Sequence, residues 1–228
     1  TIFVIFGITG DLSKRKLIPA LLDLYAKNKL PDEFRLVGFS RGVYTGEEFQ
    51  HFIADTIQAK RHDHDPELVI NFAKRAYHCQ GSFEEKDAYM RIAEKLVSLD
   101  EEVGQCSNKL FYLAVSPSSY ATIFDHLASS GLTIPCGGAE GWTRVLVEKP
   151  FGSDLVTAEK LNRETKKYFG DEVYRIDHYL GKGIVRNLLT LRFSNEVFKA
   201  VWNNKHIERV EIIHSETIGI EERAEYYD

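Results

Sequence analysis

Apolar residues in this chain come in short runs, separated by longer stretches with helical spacing. The runs at 1–6, 35–40, 73–79, 110–115, 143–148 and 173–176 read as strands bounded by Gly, Asn or Pro. Their nearly unbroken hydrophobicity predicts strands covered on both faces, which is the pattern of a parallel sheet. Between the first two runs, Leu17, Leu21 and Leu24 recur at helical intervals, with Pro19 tolerable only in or near the first turn. Further helices are predicted over 47–58, 84–99, 120–129 and 154–169, and the Gly- and Pro-bearing stretch 133–142 reads as a surface loop. After Ile176 the texture changes to a short helix over 183–191 and a strand-like 207–215. The expected architecture is therefore α/β: a doubly wound, Rossmann-like parallel sheet over 1–176, followed by the start of a second domain over 177–228. That second part is too short to close a core, so the chain reads as truncated.

Composition narrows the class without naming a function. With 228 residues, 43% hydrophobic and 28% charged, the chain has the make-up of an ordinary globular protein. A net charge of −5 argues against a nucleic-acid surface, so the basic groups that matter must act locally on a small anion. The longest apolar runs are too short to span a bilayer, and no leader precedes the first strand, so neither membrane nor export is expected. Cys79, Cys106 and Cys136 are widely spaced and odd in number, which predicts neither a disulfide framework nor a metal site and fits a cytoplasmic setting. His62, His64 and His214 read as bland surface or strand histidines.

Candidate chemistry sits at the ends of predicted strands. Gly7-Ile8-Thr9-Gly10-Asp11-Leu12-Ser13 follows the first strand and opens a helix. Its glycines permit a tight turn and close approach of a pyrophosphate, whose charge a helix N-terminus favours; the same turn can also be purely structural. Asp11 complements the helix macrodipole. The second strand ends in Gly38-Phe39-Ser40-Arg41, without the acid that an NAD-selective site would place on the ribose hydroxyls. The Arg41 guanidinium beside the Ser40 hydroxyl suits an adenosine 2′-phosphate, which predicts NADP. The fifth strand runs into Glu148-Lys149-Pro150-Phe151-Gly152, where the proline fixes a bend that pins Lys149 at the crevice in which open α/β sheets bind ligands. Finally, Arg175-Ile176-Asp177-His178-Tyr179-Leu180-Gly181-Lys182 crowds an acid, an imidazole, a phenol and an ammonium together. Lys182 and His178 can meet a phosphate while Asp177 orients a base.

Three of these stretches, Gly7–Leu17, Glu148–Gly152 and Arg175–Lys182, in this order and at this approximate spacing, resemble the glucose-6-phosphate dehydrogenase family along the whole chain, which implies that 177–228 opens an α+β substrate domain. The resemblance implies hydride transfer from the anomeric carbon of glucose 6-phosphate to NADP, giving 6-phosphogluconolactone, the first step of the pentose phosphate pathway. It implies that Gly7, Thr9, Gly10, Asp11 and Leu12 hold the dinucleotide, that Arg41 takes its 2′-phosphate and that Tyr120 lies beside it. Lys149 would touch both cofactor and sugar. Lys16, His178, Tyr179, Lys182 and Glu216 would line the substrate pocket, and Asp177 would pair with the catalytic base. It also implies a homo-oligomer, formed through a sheet domain beyond this chain.

Three positions depart from the family pattern. Gly183 stands where a Glu is usual, Ser116-Pro117 replaces a double proline, and the base histidine, in a Gln-Asn-His segment, falls after Asp228. The chain alone is therefore expected to bind cofactor with almost no turnover. Two alternatives stay open on the residues: another sugar dehydrogenase with a Glu-Lys-Pro strand, and a nucleotide-binding module without catalysis.

Overall fold

The computed structural model describes residues 1–60, 64–137, 141–149, 151–152, 154–177 and 179–213. Its contacts divide the chain into two compact units, Thr1–Ile176 and Asp177–Asp228.

The first unit is a six-stranded parallel sheet in the order β3-β2-β1-β4-β5-β6. The strands are β1 (Ile2–Phe6), β2 (Arg35–Ser40), β3 (Ala76–Gln80), β4 (Lys109–Leu113), β5 (Thr143–Glu148) and β6 (Val173–Ile176). Helices cross between them: α1 (Ile18–Ala26), α2 (Gly46–Gln58), α3 (Pro66–Ala73), α4 (Lys86–Val103), α5 (Tyr120–Ser129) and α6 (Leu155–Phe169). Side chains of β1 alternate between two cores, as a strand with period two must when both faces are covered. Val4 and Phe6 pack with Tyr89 and Ile92 of α4 and Ile123 and Phe124 of α5. Ile5 packs with Ile18 and Leu22 of α1, Phe49 and Ile53 of α2 and Phe72 of α3.

Several boundaries differ from the sequence reading. Ala73 closes α3 rather than opening β3, because Val69, Phe72 and Ala73 form one buried helical face behind the Asp65 N-cap. Helical backbone begins at Asp11, well before Pro19, and passes through a π-turn at Ser13–Leu17. Proline has no N–H to donate four residues back, and a local change of helical register absorbs that loss without ending the helix.

The second unit contains α7 (Gly183–Ser194) and α8 (Glu196–Val201), with no buried residue in either. The strand expected at 207–215 is not formed over 207–213, where apolar side chains such as Ile212 stand exposed and no pairing occurs among the described residues. A strand exists only through its partners' hydrogen bonds, so alternation alone cannot create one. No helix is long and apolar enough to cross a membrane among the described residues.

Candidate functional site

The strand order reverses between β1 and β4, and in open parallel sheets ligands bind outside the carboxyl ends of the strands at such a point. Gly7 lies there with φ +80°, and a Cβ built on it would come 2.5 Å from the Ala114 carbonyl oxygen. Glycine is thus demanded both by the turn and by the approach of the β4 end. Gly10 N–H donates to Gly7 O at 2.9 Å, and the buried Ser13 hydroxyl donates to the same oxygen at 2.9 Å. The first helical bond runs from Lys14 N–H to Gly10 O, so the amides of Asp11, Leu12 and Ser13 are those a helix start leaves for an outside acceptor. Half-buried Thr9 and Leu12 flank this start, exposed Asp11 pairs with Arg15 at 2.6 Å, and Lys16 projects from the π-turn into solvent.

At the end of β2, Arg41 is exposed, but the Ser40 hydroxyl is not beside it in solvent. Ser40 is buried, with Oγ 2.9 Å from His78 Nε2. The local sequence therefore pairs Ser40 with Arg41, whereas the fold pairs it with the next strand. His78 packs its ring 5.0 Å from those of both Tyr44 and Phe49, and burial holds its pKa down at about 4. An unfolded histidine titrates near 6.5, so on acidification the unfolded chain takes up the proton first, and stability drains away between about pH 6.5 and 4. Thermal unfolding of native protein and His78→Gln, compared at neutral and acidic pH, should show their difference shrinking through that window. A difference independent of pH would exclude this account.

At the end of β5 two tyrosines fix Glu148. The Tyr112 hydroxyl donates to Glu148 Oε1, and burial together with that bond raises the phenol's pKa well above its ordinary range. Tyr120 is only 1% exposed; its hydroxyl accepts from Glu148 N–H at 3.3 Å and donates to Glu148 O at 3.4 Å. Side chain and backbone of Glu148 are thus both held, which sets the exit direction of exposed Lys149. Neither Tyr112 nor His78 stood out in the sequence, since their partners lie on other strands.

The last register pair of the sheet is Glu148 with Ile176, and the residues that follow in the chain are Lys149 and Asp177. Within the second unit, Asp177 Oδ1 accepts the Tyr179 N–H at 3.2 Å, and Lys182 N–H donates to Tyr179 O at 3.1 Å. The Lys182 ammonium lies 4.4 Å from the centre of the Tyr179 ring. Lys182 is the N-cap residue of α7, which starts at Gly183 despite the family's usual Glu and carries no acid in its first turn. A helix N-terminus without an acid, preceded by a lysine, favours an anion. His178, Glu216, Pro150, His62 and His214 lie outside the described residues. His64 is bonded to Asp23 at 2.9 Å.

Comparison with known proteins agrees with this fold. The family model described as glucose-6-phosphate dehydrogenase, NAD binding domain, matches residues 4–187, and that of the C-terminal domain matches 189–228. Glucose-6-phosphate 1-dehydrogenase 2 of Mycobacterium tuberculosis is 42% identical over 99% of this chain and 44% of its own length. Glucose-6-phosphate 1-dehydrogenase of Bacillus subtilis is 36% identical over 100% of this chain and 45% of its own length. The chain thus spans less than half the length of these curated relatives. A solved glucose-6-phosphate 1-dehydrogenase from Mycobacterium avium superposes with a TM-score of 0.77 at 32% identity, covering 99% of this chain and 47% of that one. A glucose-6-phosphate dehydrogenase solved in complex with its substrate glucose-6-phosphate gives 0.76 at 31% identity, covering 90% of this chain and 42% of that one.

Proposed function

The chain belongs to the glucose-6-phosphate dehydrogenase family, and we propose that the whole protein is an oxidoreductase that oxidises glucose 6-phosphate at its anomeric carbon with NADP, giving the lactone. The observation that carries this reading is the glycine turn at the carboxyl end of β1, where Gly7 has φ +80° and the helix that follows leaves the amides of Asp11, Leu12 and Ser13 for an outside acceptor. Residues 1–176 would hold the cofactor and add Lys16 and Lys149 to the sugar site that residues from 177 onward would form.

The glycine turn fits a dinucleotide, because it leaves three helix-start amides for an outside acceptor and has no side chain at Gly7 or Gly10. A bound nicotinamide would supply the acceptor for the hydride. The chain's own residues would do the positioning. Gly7 through Leu12 would carry the pyrophosphate, Arg41 the 2′-phosphate, and Lys149 would bridge cofactor and sugar. Tyr120, buried under Glu148, would serve the cofactor by holding the strand end. His178, Tyr179 and Lys182 would take the substrate's phosphate, with Lys16 and Glu216 toward the rest of the sugar, while Asp177 would orient the base that removes the hydroxyl proton.

NADP is favoured over NAD because exposed Arg41 stands where an acid would meet ribose hydroxyls. Losing that charge-assisted contact should cost about 1.5–3 kcal/mol. Calorimetric titration of Arg41→Ala is therefore expected to show NADP binding weakened roughly ten- to hundredfold, with NAD nearly unaffected. Equal losses for the two cofactors would sink the assignment.

A further inference from the structure

Cys106 and Cys136 are far apart in sequence, but the fold brings them together at the amino ends of the strands, away from the glycine turn and Lys149. Cys106 lies in the turn between α4 and β4, and Cys136 in the loop before β5. Their sulfurs, with a carboxylate oxygen of Asp100, all lie within 4.8 Å of one another. The two loops are stitched in place: Lys109 N–H donates to Trp142 O at 3.0 Å, and Trp142 N–H donates to Asn108 Oδ1 at 3.0 Å. Cys106 also packs on the backbone beside Cys136, since a Cβ built on Gly137 would lie 3.3 Å from the Cys106 Cβ. Exposed Cys106 is open to solution, while Cys136 is partly covered.

The Lys109 ammonium decides between two uses of this cluster. It donates to Asp100 and lies 3.1 Å from Cys136 Sγ. A cationic group already sits among the three donors, so a metal ion would have to displace it. The same ammonium favours negative charge on Cys136 sulfur, which thiol oxidation requires.

We propose that Cys106 and Cys136 form a reversible disulfide site, closed by hydroperoxides and reopened by dithiols. The Cys106 sulfur takes the terminal oxygen of the peroxide, giving a sulfenic acid and releasing water or an alcohol. Cys136 sulfur then attacks that sulfur; the S–S bond forms, the S–O bond breaks, and the hydroxyl leaves as water with the Cys136 proton. Lys109 offsets the charge on Cys136 sulfur during attack and again when a dithiol displaces it. Burial, the Cys106 sulfur and the Asp100 carboxylate raise the Cys136 thiol and work against this chemistry, and Lys109 opposes that rise without reversing it. Cys79 provides an internal control, because it is buried and its thiol is pushed up to about 11.

The test is to treat the purified protein with hydrogen peroxide at low concentration, alkylate the remaining thiols and map tryptic peptides. Cleavage at Lys95, Lys109 and Arg144 puts the two cysteines in separate peptides, 96–109 and 110–144. The expected result is a linked pair lighter by two hydrogens, undone by dithiothreitol, with Cys79 still alkylated. The linked form should melt about 5 °C higher, because the bridge restricts the unfolded chain. Cys79→Ser should still link, and Cys136→Ser should instead accumulate oxygen on Cys106. Cys106 oxidised while native Cys136 remains alkylatable, or a link formed only between molecules, would overturn the proposal.

Discussion

Replacing Asp177 with Asn in the whole protein is expected to lower turnover of glucose 6-phosphate by on the order of 100- to 10,000-fold, the range that a positioned acid or base contributes. The residue is held within a local turn: Asp177 Oδ1 accepts the Tyr179 N–H, and Asp177 O accepts the Leu180 N–H at 3.1 Å. Asn can keep the same backbone contact, so the turn should survive. What it cannot keep is the negative charge that, in the proposed mechanism, would orient an imidazole and stabilise its protonated form. The effect should therefore fall on kcat, with the Michaelis constants for both substrates little changed. It should also move the acid limb of the pH–rate profile to lower pH, since a base without its carboxylate partner holds its proton less tightly. A purely structural role would leave that limb in place. A loss confined to the Michaelis constant, with an unmoved limb, would remove Asp177 from the proposed mechanism.

Gly7→Ala should be the most damaging single methyl group added in the nucleotide unit. The backbone at Gly7 has φ +80°, a conformation that costs an L-residue about 1–2 kcal/mol. The new Cβ would also stand 2.5 Å from Ala114 O and 3.1 Å from Val115 Cγ1. Ala114 cannot step aside freely, because its N–H donates to Phe6 O at 3.1 Å and continues the β1 to β4 pairing. The combined cost should reach about 3–5 kcal/mol, a large share of an ordinary domain's stability. Gly104→Ala isolates the conformational part, since Gly104 has φ +74° and nothing within 4 Å of its Cβ position. Denaturant midpoints should fall modestly for Gly104→Ala and much further for Gly7→Ala, whose binding of nicotinamide cofactor should be lost with the turn. Similar midpoints for the two would show that the β4 contact contributes nothing.

The pairing of buried Ser40 with half-buried His78 shows how a local reading can assign a wrong partner. Ser40-Arg41 reads as a phosphate-binding pair, yet a strand's successive side chains point to opposite faces. Ser40 turns into the core to meet a residue of β3, and Arg41 alone faces out. Tyr112 and Tyr120 teach the same lesson at Glu148, since nothing near either tyrosine marks it as the support of a strand end. Likewise, the spacing of Cys106 and Cys136 gives no sign that they meet.

Much else was legible in the chain itself. Strands β1, β2 and β5, with helices α2, α5 and α6, lie within a few residues of their hydrophobic patterns, because burial on both faces leaves a parallel strand little freedom in composition. The glycine turn after β1 was legible because it is local: adjacent residues form it, and Gly7 takes the positive φ that the turn requires. The tertiary structure alone decided which strands adjoin, which tyrosines hold Glu148, that Pro19 is absorbed by a π-turn, and that residues 207–213 pair with nothing among the described residues. These depend on contacts between segments distant in sequence, whose free energies come from burial and hydrogen bonding in three dimensions and leave no periodic trace along the chain.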